Sequence, residues 1–365
     1  MRESTCRQDL IVWCDEQSIP AQIGMKSWCL SRVRKSGIKT PEWFTLTTNA
    51  FLDFLVENGI YEDIRGLIHE WFKRDECPDA SEIFANANVP GEIASQVMDA
   101  CSRLKDRKKT SDVSKTSEVW VKNQPLINAA PLTTVETSYW AGLESAPTIC
   151  GYPIPEQVKF AVRSSSIVED TSGASMAGLY DTFLAVETGI AILDAIKGCW
   201  MSAACFRALT YLKRLGFGIA ADDEAISPES LGMGVIVQQM VKPKFSGVMF
   251  TINPVSGDPS KIYIEYSRGL GKAVVSGRIT PNLVVADKIT HQIDRQGMDD
   301  FLDDDYIHGL TSIGKSIEKL FGCYQDIEWA IDDDSSEIII LQARPETIWN
   351  NRIANLESRI ANLQK

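Results

Sequence analysis

Hydrophobic side chains recur at helical spacing in the first third of the chain. The apolar positions with this spacing are Leu52, Leu55, Val56, Ile64, Leu67, Ile68 and Phe72. Side chains spaced in this way share one face of a helix, so the pattern predicts helices after residue 51. A further helix is predicted over 91–106, and the basic, Ser/Thr-rich residues that follow it are typical of a solvated loop.

After residue 157 the pattern changes to short β-branched runs. These runs lie at 158–162, 235–237, 247–251, 262–266, 282–286, 326–331 and 337–341. Helical patterns lie near 189–214 and 306–320, and the sequence DDDSS at 332–336 predicts a hairpin turn. Strands mixed irregularly with helices predict an α+β fold rather than a regular βαβ array.

Composition and charge narrow the class of protein. The 365 residues include 37 Lys+Arg and 49 Asp+Glu, and the formal net charge of −12 argues against a nucleic-acid partner. This length suggests two or three compact units. No apolar run approaches the ~18 residues of a membrane span, and the first residues lack the apolar core of a signal peptide. We therefore expect a cytoplasmic protein without membrane contact, whose nine scattered cysteines are reduced, mostly core thiols.

Residues Gly309–Ser316, GLTSIGKS, satisfy the G-x-x-x-x-G-K-[ST] pattern of a phosphate-binding P-loop. A working P-loop follows a buried strand, because that strand holds the loop around the phosphates. The preceding residues, MDDFLDDDYIH, contain five aspartates, which would repel a polyphosphate and cannot form such a strand. The apolar positions of the segment are Ile307, Leu310, Ile313, Ile317 and Leu320. Their spacing predicts an amphipathic helix in place of a P-loop.

A first candidate for phosphate chemistry is Arg163, at the end of a predicted strand. Three serines and a loop rich in Gly, Ser and Ala follow it. A guanidinium suits bidentate phosphate binding, and small residues let backbone N–H groups approach an anion closely. The residues alone equally allow a structural pair of Arg163 with Glu169 or Asp170 beside an ordinary loop.

A second candidate is the hairpin predicted near the end of the chain. Strand alternation places Ile338, Ile340, Gln342 and Arg344 on one face. The hairpin register places Glu328 within one residue of a position opposite Gln342. An acid, an amide oxygen and a guanidinium then converge, which suits Mg²⁺ bridging the phosphates of a nucleotide. The alternative is a surface ion pair between Glu328 and Arg344.

Five segments of the chain have the order and content of a known family. They are IGMKSWCLSRVRKSGIKTPEWFTLTTNAF, AVRSSSIVEDTSGASMAGLYDTFLAV, VQQMVKPKFSGVMFTINPVSGD, GLGKAVVSGRITPN, and QDIEWA with LQARPET. From about residue 20 to 348 the chain resembles the ATP-binding domain of phosphoenolpyruvate synthase, pyruvate phosphate dikinase and the rifampicin phosphotransferases. The resemblance implies an ATP-grasp fold, in which the nucleotide is held between two α+β subdomains.

The resemblance also implies how ATP is held. Lys26 and Arg163 would contact the ATP phosphates, and Gly178 and Thr182 would line the loop over them. Gln238, at the end of a predicted strand, would face the adenine. ATP is therefore an expected ligand of this domain.

The same resemblance assigns roles to the hairpin. Glu328 and Gln342 would hold Mg²⁺, and Arg344 would neutralise the charge that develops on the transferred group. The chain departs from the family pattern next to Lys26, the residue that would bind phosphate. Met25 stands where the family usually has a second glycine after Gly24.

The phosphate acceptor is expected to lie on another chain. His69, His291 and His308 are the three histidines, and none has the Gly-Gly-x-Thr-x-His context of the acceptor in multidomain relatives. No such motif follows Arg344, so we expect a subunit that cleaves ATP to AMP and phosphate and phosphorylates a histidine on a separate partner. Phenylphosphate synthase has a similar division, and its smaller catalytic component resembles this domain. The alternatives are the ATP-binding domain of a longer synthase or antibiotic phosphotransferase, and a non-catalytic regulatory module.

The expected organisation has three parts. An N-terminal ATP-grasp subdomain spans 1–230, with a helical insertion around 52–120, and a C-terminal subdomain spans 231–348. The tail at 349–365 repeats RIANL, and its apolar positions in successive heptads are Ile353, Leu356, Ile360 and Leu363. This stripe would either pair with a second copy or a partner, or fold back on the domain.

Overall fold

Two antiparallel sheets with helices packed on them give the chain the α+β architecture that its sequence predicts. The computed structural model describes residues 9–74, 80–113, 158–169, 178–187, 189–214, 228–269, 281–296 and 302–363. In this part of the chain, the first sheet has five strands and the second has six.

The first sheet collects strands from distant parts of the sequence. Its spatial order is β1 (Ile11–Trp13), β2 (Trp43–Leu46), β5 (Met233–Gln239), β3 (Phe160–Ser166) and β4 (Thr182–Val186). Every residue of β2 and β5 is buried. A strand covered on both faces does not alternate between apolar and polar residues, so only a short apolar run marks β5 in the sequence.

The helices of the first part of the chain pack on this sheet. They are α1 (Pro20–Lys35), α2 (Thr48–Glu57), α3 (Tyr61–Arg74), α4 (Ser81–Ala85), α5 (Gly91–Val113), α6 (Gly189–Ala203), α7 (Phe206–Arg214) and α8 (Pro228–Leu231). The predicted helical section around 52–120 corresponds to α2 to α5, as far as its residues are described. Phe54 of α2 lies 5.7 Å from Phe84 and 4.8 Å from Trp200, measured between ring centroids. This section therefore shares one core with α6.

The second sheet lies in the last third of the chain. Its spatial order is β11 (Ile338–Pro345), β10 (Gln325–Asp332), β6 (Pro243–Phe250), β7 (Lys261–Arg268), β8 (Asn282–Asp287) and β9 (Ile293–Gln296). Helix α9 (Asp304–Phe321) packs on it, and α10 (Thr347–Leu363) follows β11. All seven strands predicted from the β-branched runs are present.

Helix α1 packs against both sheets. Leu30 and Val33 of α1, with Trp43 of β2 and Ile236 of β5, belong to the same buried cluster as the apolar face of the second sheet. The second cluster of apolar side chains thus extends across the junction. This packing fixes the side chains that each sheet presents to the other.

The division between the sheets differs from the predicted boundary after residue 230. Strand β5 lies between β2 and β3, at the centre of the first sheet, and β6 begins the second sheet at Pro243. The sheets therefore divide between Gln239 and Pro243. A central strand hydrogen-bonds to neighbours on both sides, so β5 cannot be assigned to the other subdomain.

One stretch, Gly189–Arg214, is long and apolar enough by composition to cross a membrane, with a hydropathy of 1.4. It forms two helices, α6 and α7, and half of its apolar window is buried. Ile192, Ile196 and Trp200 are fully buried in the first core. Core helices of this kind pass the same compositional test, so the stretch is weak evidence for a membrane span.

The cysteines within the described residues are free thiols, as predicted. Cys14, Cys29, Cys101 and Cys199 are buried. Burial raises the pKa of the Cys101 thiol to about 12, so this thiol stays protonated at neutral pH. A buried protonated thiol is a poor nucleophile and behaves as a small apolar side chain.

The segment with the P-loop pattern is a helix, as predicted. Residues Gly309–Ser316 all lie inside α9, whose buried residues include Ile307, Leu310 and Ile317. Backbone N–H groups in the middle of a helix are bonded to the preceding turn and cannot wrap a phosphate. The sequence pattern therefore does not produce a P-loop here.

Replacing Lys315 by alanine should leave the Michaelis constant for ATP within about twofold of the wild-type value. Lys315 is exposed on α9, where isolated substitutions usually change stability by less than ~0.5 kcal/mol. Steady-state kinetics over a range of ATP concentrations would check this. A large rise in the constant would restore the P-loop interpretation.

The tail begins with a well-capped helix. Glu346 is buried, and its carboxylate accepts hydrogen bonds from the backbone N–H groups of Ile348 at 2.9 Å and Trp349 at 2.8 Å. Trp349 Nε1 donates to the carbonyl of Pro254 at 3.0 Å, which holds the first turn on the second sheet's loop. Of the predicted stripe, Ile353 is half-buried, and the side chains of the other three positions lie outside the described ones. Whether the stripe pairs or folds back stays a prediction.

Candidate active site

The backbone around Lys26 is shaped by Gly24, which has a φ of +73° inside the first turns of α1. A Cβ at this position would lie 1.9 Å from the carbonyl oxygen of Ser165 on β3. Only glycine allows so close an approach of helix to strand. Next to this contact, the Ser27 N–H donates to Ser165 Oγ at 3.1 Å. The departure at Met25 therefore leaves the essential glycine in place.

Lys26 is buried and paired. Its Nζ lies 2.6 Å from Glu169 Oε1 and donates to the carbonyl of Ser164 at 3.3 Å. The exposed fraction is 10% for the Lys26 side chain and 1% for that of Glu169, so water does not screen the pair. Removing either partner would leave a buried charge uncompensated. The pair fixes the lysine ammonium at the end of β3.

Arg163 reaches from the first sheet to the second. Its Nη2 lies 2.9 Å from Glu328 Oε2 and also contacts Gln342 Oε1, and its Nη1 donates to the carbonyl of Leu341 at 3.4 Å. Its Nε is buried and has no partner among the described residues. Of the two local acids that the sequence offered as partners of Arg163, Glu169 pairs with Lys26 instead, and Asp170 lies outside the described residues.

A β-bulge in the hairpin of β10 and β11 determines which side chains face Arg163. Glu328 lies directly opposite Gln342, within the one-residue range of the predicted register. Trp329, however, lies opposite Ile340, so Leu341 is an extra residue in β11. An extra residue reverses the alternation of faces. Ile340 therefore packs in the second core, whereas Gln342 faces Arg163. The prediction that Ile338, Ile340, Gln342 and Arg344 share one face is wrong for this reason.

Arg344 is oriented by a carboxylate on the neighbouring strand. Its Nε and Nη2 donate to Asp326 Oδ2 at 2.9 and 2.6 Å, and the two residues are direct partners in the hairpin register. The side chains are 21% and 13% exposed. The alternative of an ion pair between Glu328 and Arg344 is not what forms, because Glu328 pairs with Arg163.

The electrostatic surroundings keep Glu328 ionised. Burial alone would raise the pKa of its carboxyl, but the attraction of Arg163, the hydrogen bond from it, and the charges of Arg344 and Lys26 lower it below the ordinary value. A carboxylate that is ionised at neutral pH can ligate a cation. The three positive side chains around it can equally attract the phosphates of a nucleotide.

Three other residues were predicted to contact ATP, namely Gln238, Thr182 and Gly178. Gln238 is buried, and its Nε2 donates to the carbonyl of Leu341 at 3.5 Å, so it lies at the same junction as Arg163. Thr182 lies opposite Arg163 in the register of β3 and β4. Gly178 is exposed with a φ of +70°, and most of the predicted loop over the phosphates lies outside the described residues.

Sequence reasoning missed the two acids that hold the basic groups. Glu169 pairs with Lys26 and Asp326 pairs with Arg344. The predicted hairpin register places Asp326 within one residue of a position opposite Arg344, so that pair could have been considered. No local signal joins Lys26 to Glu169, because they meet only through the tertiary contact of α1 with β3.

The oxygen atoms of Glu328 and Gln342 suit a hard divalent cation. Both contact the same Arg163 nitrogen, which places them side by side. Within the described residues there is no cluster of three or more His, Cys, Asp or Glu able to enclose a metal. A cation here would take one carboxylate and one amide oxygen from the chain and its other ligands from water and phosphate, as Mg²⁺ usually does.

Comparison with known proteins identifies the domain. The chain matches the family described as the pyruvate phosphate dikinase AMP/ATP-binding domain over residues 20–127, 143–301 and 295–364. It is 28% identical to phosphoenolpyruvate synthase from Aeropyrum pernix, over 96% of this chain and 44% of that protein. It is 29% identical to rifampicin phosphotransferase from a Streptomyces species, over 90% of this chain and 34% of that protein. The chain thus spans less than half the length of these relatives.

Similarity to a solved structure adds little. D-alanyl-alanine synthetase A from Vibrio cholerae overlaps 50% of this chain at 13% identity with a TM-score of 0.23, too low to support an argument. The family match rests on nearly the whole chain and includes every element that contributes to the site. The chain belongs to the pyruvate phosphate dikinase AMP/ATP-binding domain family, as its sequence motifs predicted.

Proposed function

We propose that the chain is the ATP-cleaving unit of a dikinase-type phosphotransferase, which forms AMP and phosphate and phosphorylates a histidine on a separate partner. The observation that carries this proposal is the convergence of Arg163, Glu328 and Gln342 where the two sheets meet. A guanidinium, a carboxylate and an amide oxygen at such a junction match the chemistry of a metal-bound polyphosphate.

Each basic group has a distinct task in this proposal. Lys26 and Arg163 bind the ATP phosphates, and the buried Arg163 Nε has donor capacity left for them. Arg344, held by Asp326, stabilises the negative charge that develops during phosphoryl transfer. Gln238 lies at the adenine end. Since both sheets contribute, closing one on the other would assemble the site and exclude water.

Magnesium is the proposed cofactor. Glu328 and Gln342 would hold the cation, which when bound neutralises phosphate charge and orients the chain of phosphates. The cytoplasm supplies both ATP and Mg²⁺, and we propose it as the location of the protein.

The histidines of this chain support a separate acceptor. His69 lies on α3, His291 in the turn after β8, and His308 on α9. None is among the side chains that surround Arg163 and Glu328.

The products AMP and phosphate balance when the γ-phosphoryl is released to water and the β-phosphoryl stays on the acceptor histidine. Such a division of labour would resemble phenylphosphate synthase, with the final phosphate acceptor set by the partner. The tail at 351–365 is a candidate for docking this partner or for dimer formation.

The proposal requires that ATP stabilises the fold only together with Mg²⁺. A ligand bound only by the native state adds RT ln(1 + [L]/Kd) to the free energy of unfolding, about 2.7 kcal/mol at a hundredfold excess over Kd. A thermal-shift series with ATP, Mg²⁺ and both would check this. Glu328→Gln, which keeps the shape and removes the charge, should lose most of the Mg²⁺-dependent increase in melting temperature.

The matched control is Glu337→Gln. Glu337 lies outside the proposed site and forms an exposed pair with Lys39. This variant should keep the full increase. Equal stabilisation of the wild type and Glu328→Gln by ATP with Mg²⁺ would remove Glu328 from the proposed metal site.

A further inference from the structure

A second polar pocket lies on the outer face of α9, beside the turn between β8 and β9. Its volume is about 360 Å³, and its lining residues are His291, His308, Thr311, Ser312, Lys315, Ser316 and Lys319. Six of these lie on α9, each three or four residues from another of the set, so they share one face of the helix. Every lining side chain is basic or carries a hydroxyl group.

The positive charge of this pocket is not neutralised locally. In the described chain, neither Lys315 nor Lys319 has a carboxylate within ion-pair distance, and Lys315 Nζ donates to the carbonyl of Lys288 at 3.0 Å. The nearest acid on the helix, Glu318, is engaged by Lys288 at 2.6 Å. Asp287, at the end of β8, is engaged by Lys261 at 2.6 Å. Glu318 and Asp287 are therefore already paired.

A buried hydroxyl group in the same pocket lacks a partner. Thr311 is 2% exposed, and its Oγ1 has no hydrogen-bond partner among the described atoms. A buried hydroxyl without a partner is energetically unfavourable, and a bound ligand or an ordered water can supply the missing hydrogen bond. Because Thr311 lines the pocket, a bound oxygen atom there could complete it.

The two histidines add a pair of N–H donors at the rim. The rings of His291 and His308 lie 6.0 Å apart between centroids, with planes inclined by 76°. His291 is held by a turn in which its N–H donates to the Asp287 carbonyl at 3.1 Å, and its φ is +61°. Imidazole, ammonium and hydroxyl donors together suit a tetrahedral oxyanion. A metal cation would be repelled by the two lysines.

We propose that this pocket binds a phosphate dianion, as inorganic phosphate or as the terminal group of a phosphorylated molecule, at a site separate from the nucleotide site. The anion would accept hydrogen bonds from Lys315, Lys319 and Thr311, with the histidines closing one side. Lys315 and Ser316 belong to the P-loop-like sequence Gly309–Ser316. In this proposal they line the phosphate site with side chains from one helix face, rather than from a loop.

The proposal is testable by NMR, because the chain has only three histidines. During a titration of the full chain with inorganic phosphate, the imidazole Cε1–H signals of His291 and His308 should shift together and saturate. The signal of His69, on α3, should not move and serves as an internal reference. Sodium chloride at matched ionic strength is the parallel control for screening.

Variants separate the site from a general surface effect. Lys315→Gln with Lys319→Gln should raise the half-saturating phosphate concentration at least tenfold, whereas Lys242→Gln on an exposed lysine elsewhere should leave it unchanged. Glu328→Gln should also leave it unchanged, which keeps this test independent of the nucleotide site. Thr311→Val reports on the buried hydroxyl and should weaken binding severalfold.

Three results would overturn the proposal. The first is the absence of phosphate-induced shifts at His291 and His308. The second is an equal response to chloride. The third is unchanged phosphate binding by the folded Lys315→Gln and Lys319→Gln double variant. To learn whether the source is free phosphate or a phosphorylated molecule, the titration is repeated with phosphoserine, which binds as well as phosphate if only the terminal group is recognised.

Discussion

Replacing Arg344 by alanine is expected to reduce the rate of AMP formation by about 10²–10³, the usual cost of losing one group that stabilises transition-state charge. Asp326 fixes the guanidinium through two hydrogen bonds to one oxygen. The side chain is therefore oriented before substrate binds. The Michaelis constant for ATP should change much less than the turnover number, because the interaction strengthens as charge develops. Steady-state kinetics with AMP detection would measure both.

Variants of the same pair sharpen this prediction. Arg344→Lys keeps the charge but loses the two-point contact, so it should recover only part of the activity. Asp326→Asn should lower the turnover number less than Arg344→Ala, because it loosens the arginine without removing it. Wild-type turnover in Arg344→Ala would contradict the assignment.

Replacing Gly24 by alanine is expected to destabilise the domain by about 3 kcal/mol or more, and to impair ATP binding even below the melting temperature. The new Cβ would lie 1.9 Å from the Ser165 carbonyl oxygen, and the φ of +73° is unfavourable for any residue with a Cβ. Helix α1 would have to move away from β3. Because Lys26 bonds to the Ser164 carbonyl next to this contact, its ammonium would move too.

Gly37, two residues after the end of α1, provides the matched control. It also has a positive φ, of +85°, but a Cβ there would meet nothing within 4 Å. Gly37→Ala should therefore cost only the backbone strain, about 1 kcal/mol. Chemical denaturation of both variants would separate the two contributions. Equal losses would show that the contact with Ser165 is not the cause.

The sequence predicts the hairpin that carries Glu328 and Gln342 well, because its information is local. Two apolar runs flank a turn, and the turn fixes which residues lie opposite each other. The register that this turn predicts is within one residue of the observed pairing of Glu328 with Gln342. The sequence did not predict which faces Ile340 and Ile338 occupy, because the bulge at Leu341 depends on the contacts of β11 with the first sheet.

Contacts between distant parts of the chain were less predictable. Arg163 had two local acids as possible partners, yet its actual partners lie about 165 and 179 residues away in sequence. Which acid pairs with Arg163 depends on how α1 packs against β3, because that packing brings Lys26 into an ion pair with Glu169. Residue types alone do not carry that information. The family resemblance assigned Arg163, Glu328 and Gln342 to one ATP site, but it did not predict the contacts among them.

The position of the boundary between sheets shows a similar limit of local reasoning. Strand β5 is followed within a few residues by β6, and both are apolar strands. Nothing local marks the change of sheet. Only the hydrogen-bond partners do, because β5 pairs with β2 and β3 whereas β6 pairs with β7 and β10.

The most direct test of the account is transfer of label from ATP that carries ³²P at the β-phosphate. The chain is incubated with labelled ATP, Mg²⁺ and a purified histidine-bearing partner domain, with γ-labelled ATP in parallel. Phosphoryl transfer to a separate partner predicts acid-labile label on the partner from the β-labelled ATP alone, release of the γ-label as free phosphate, and no stable label on this chain. Stable label on this chain, or ADP as the product, would contradict it.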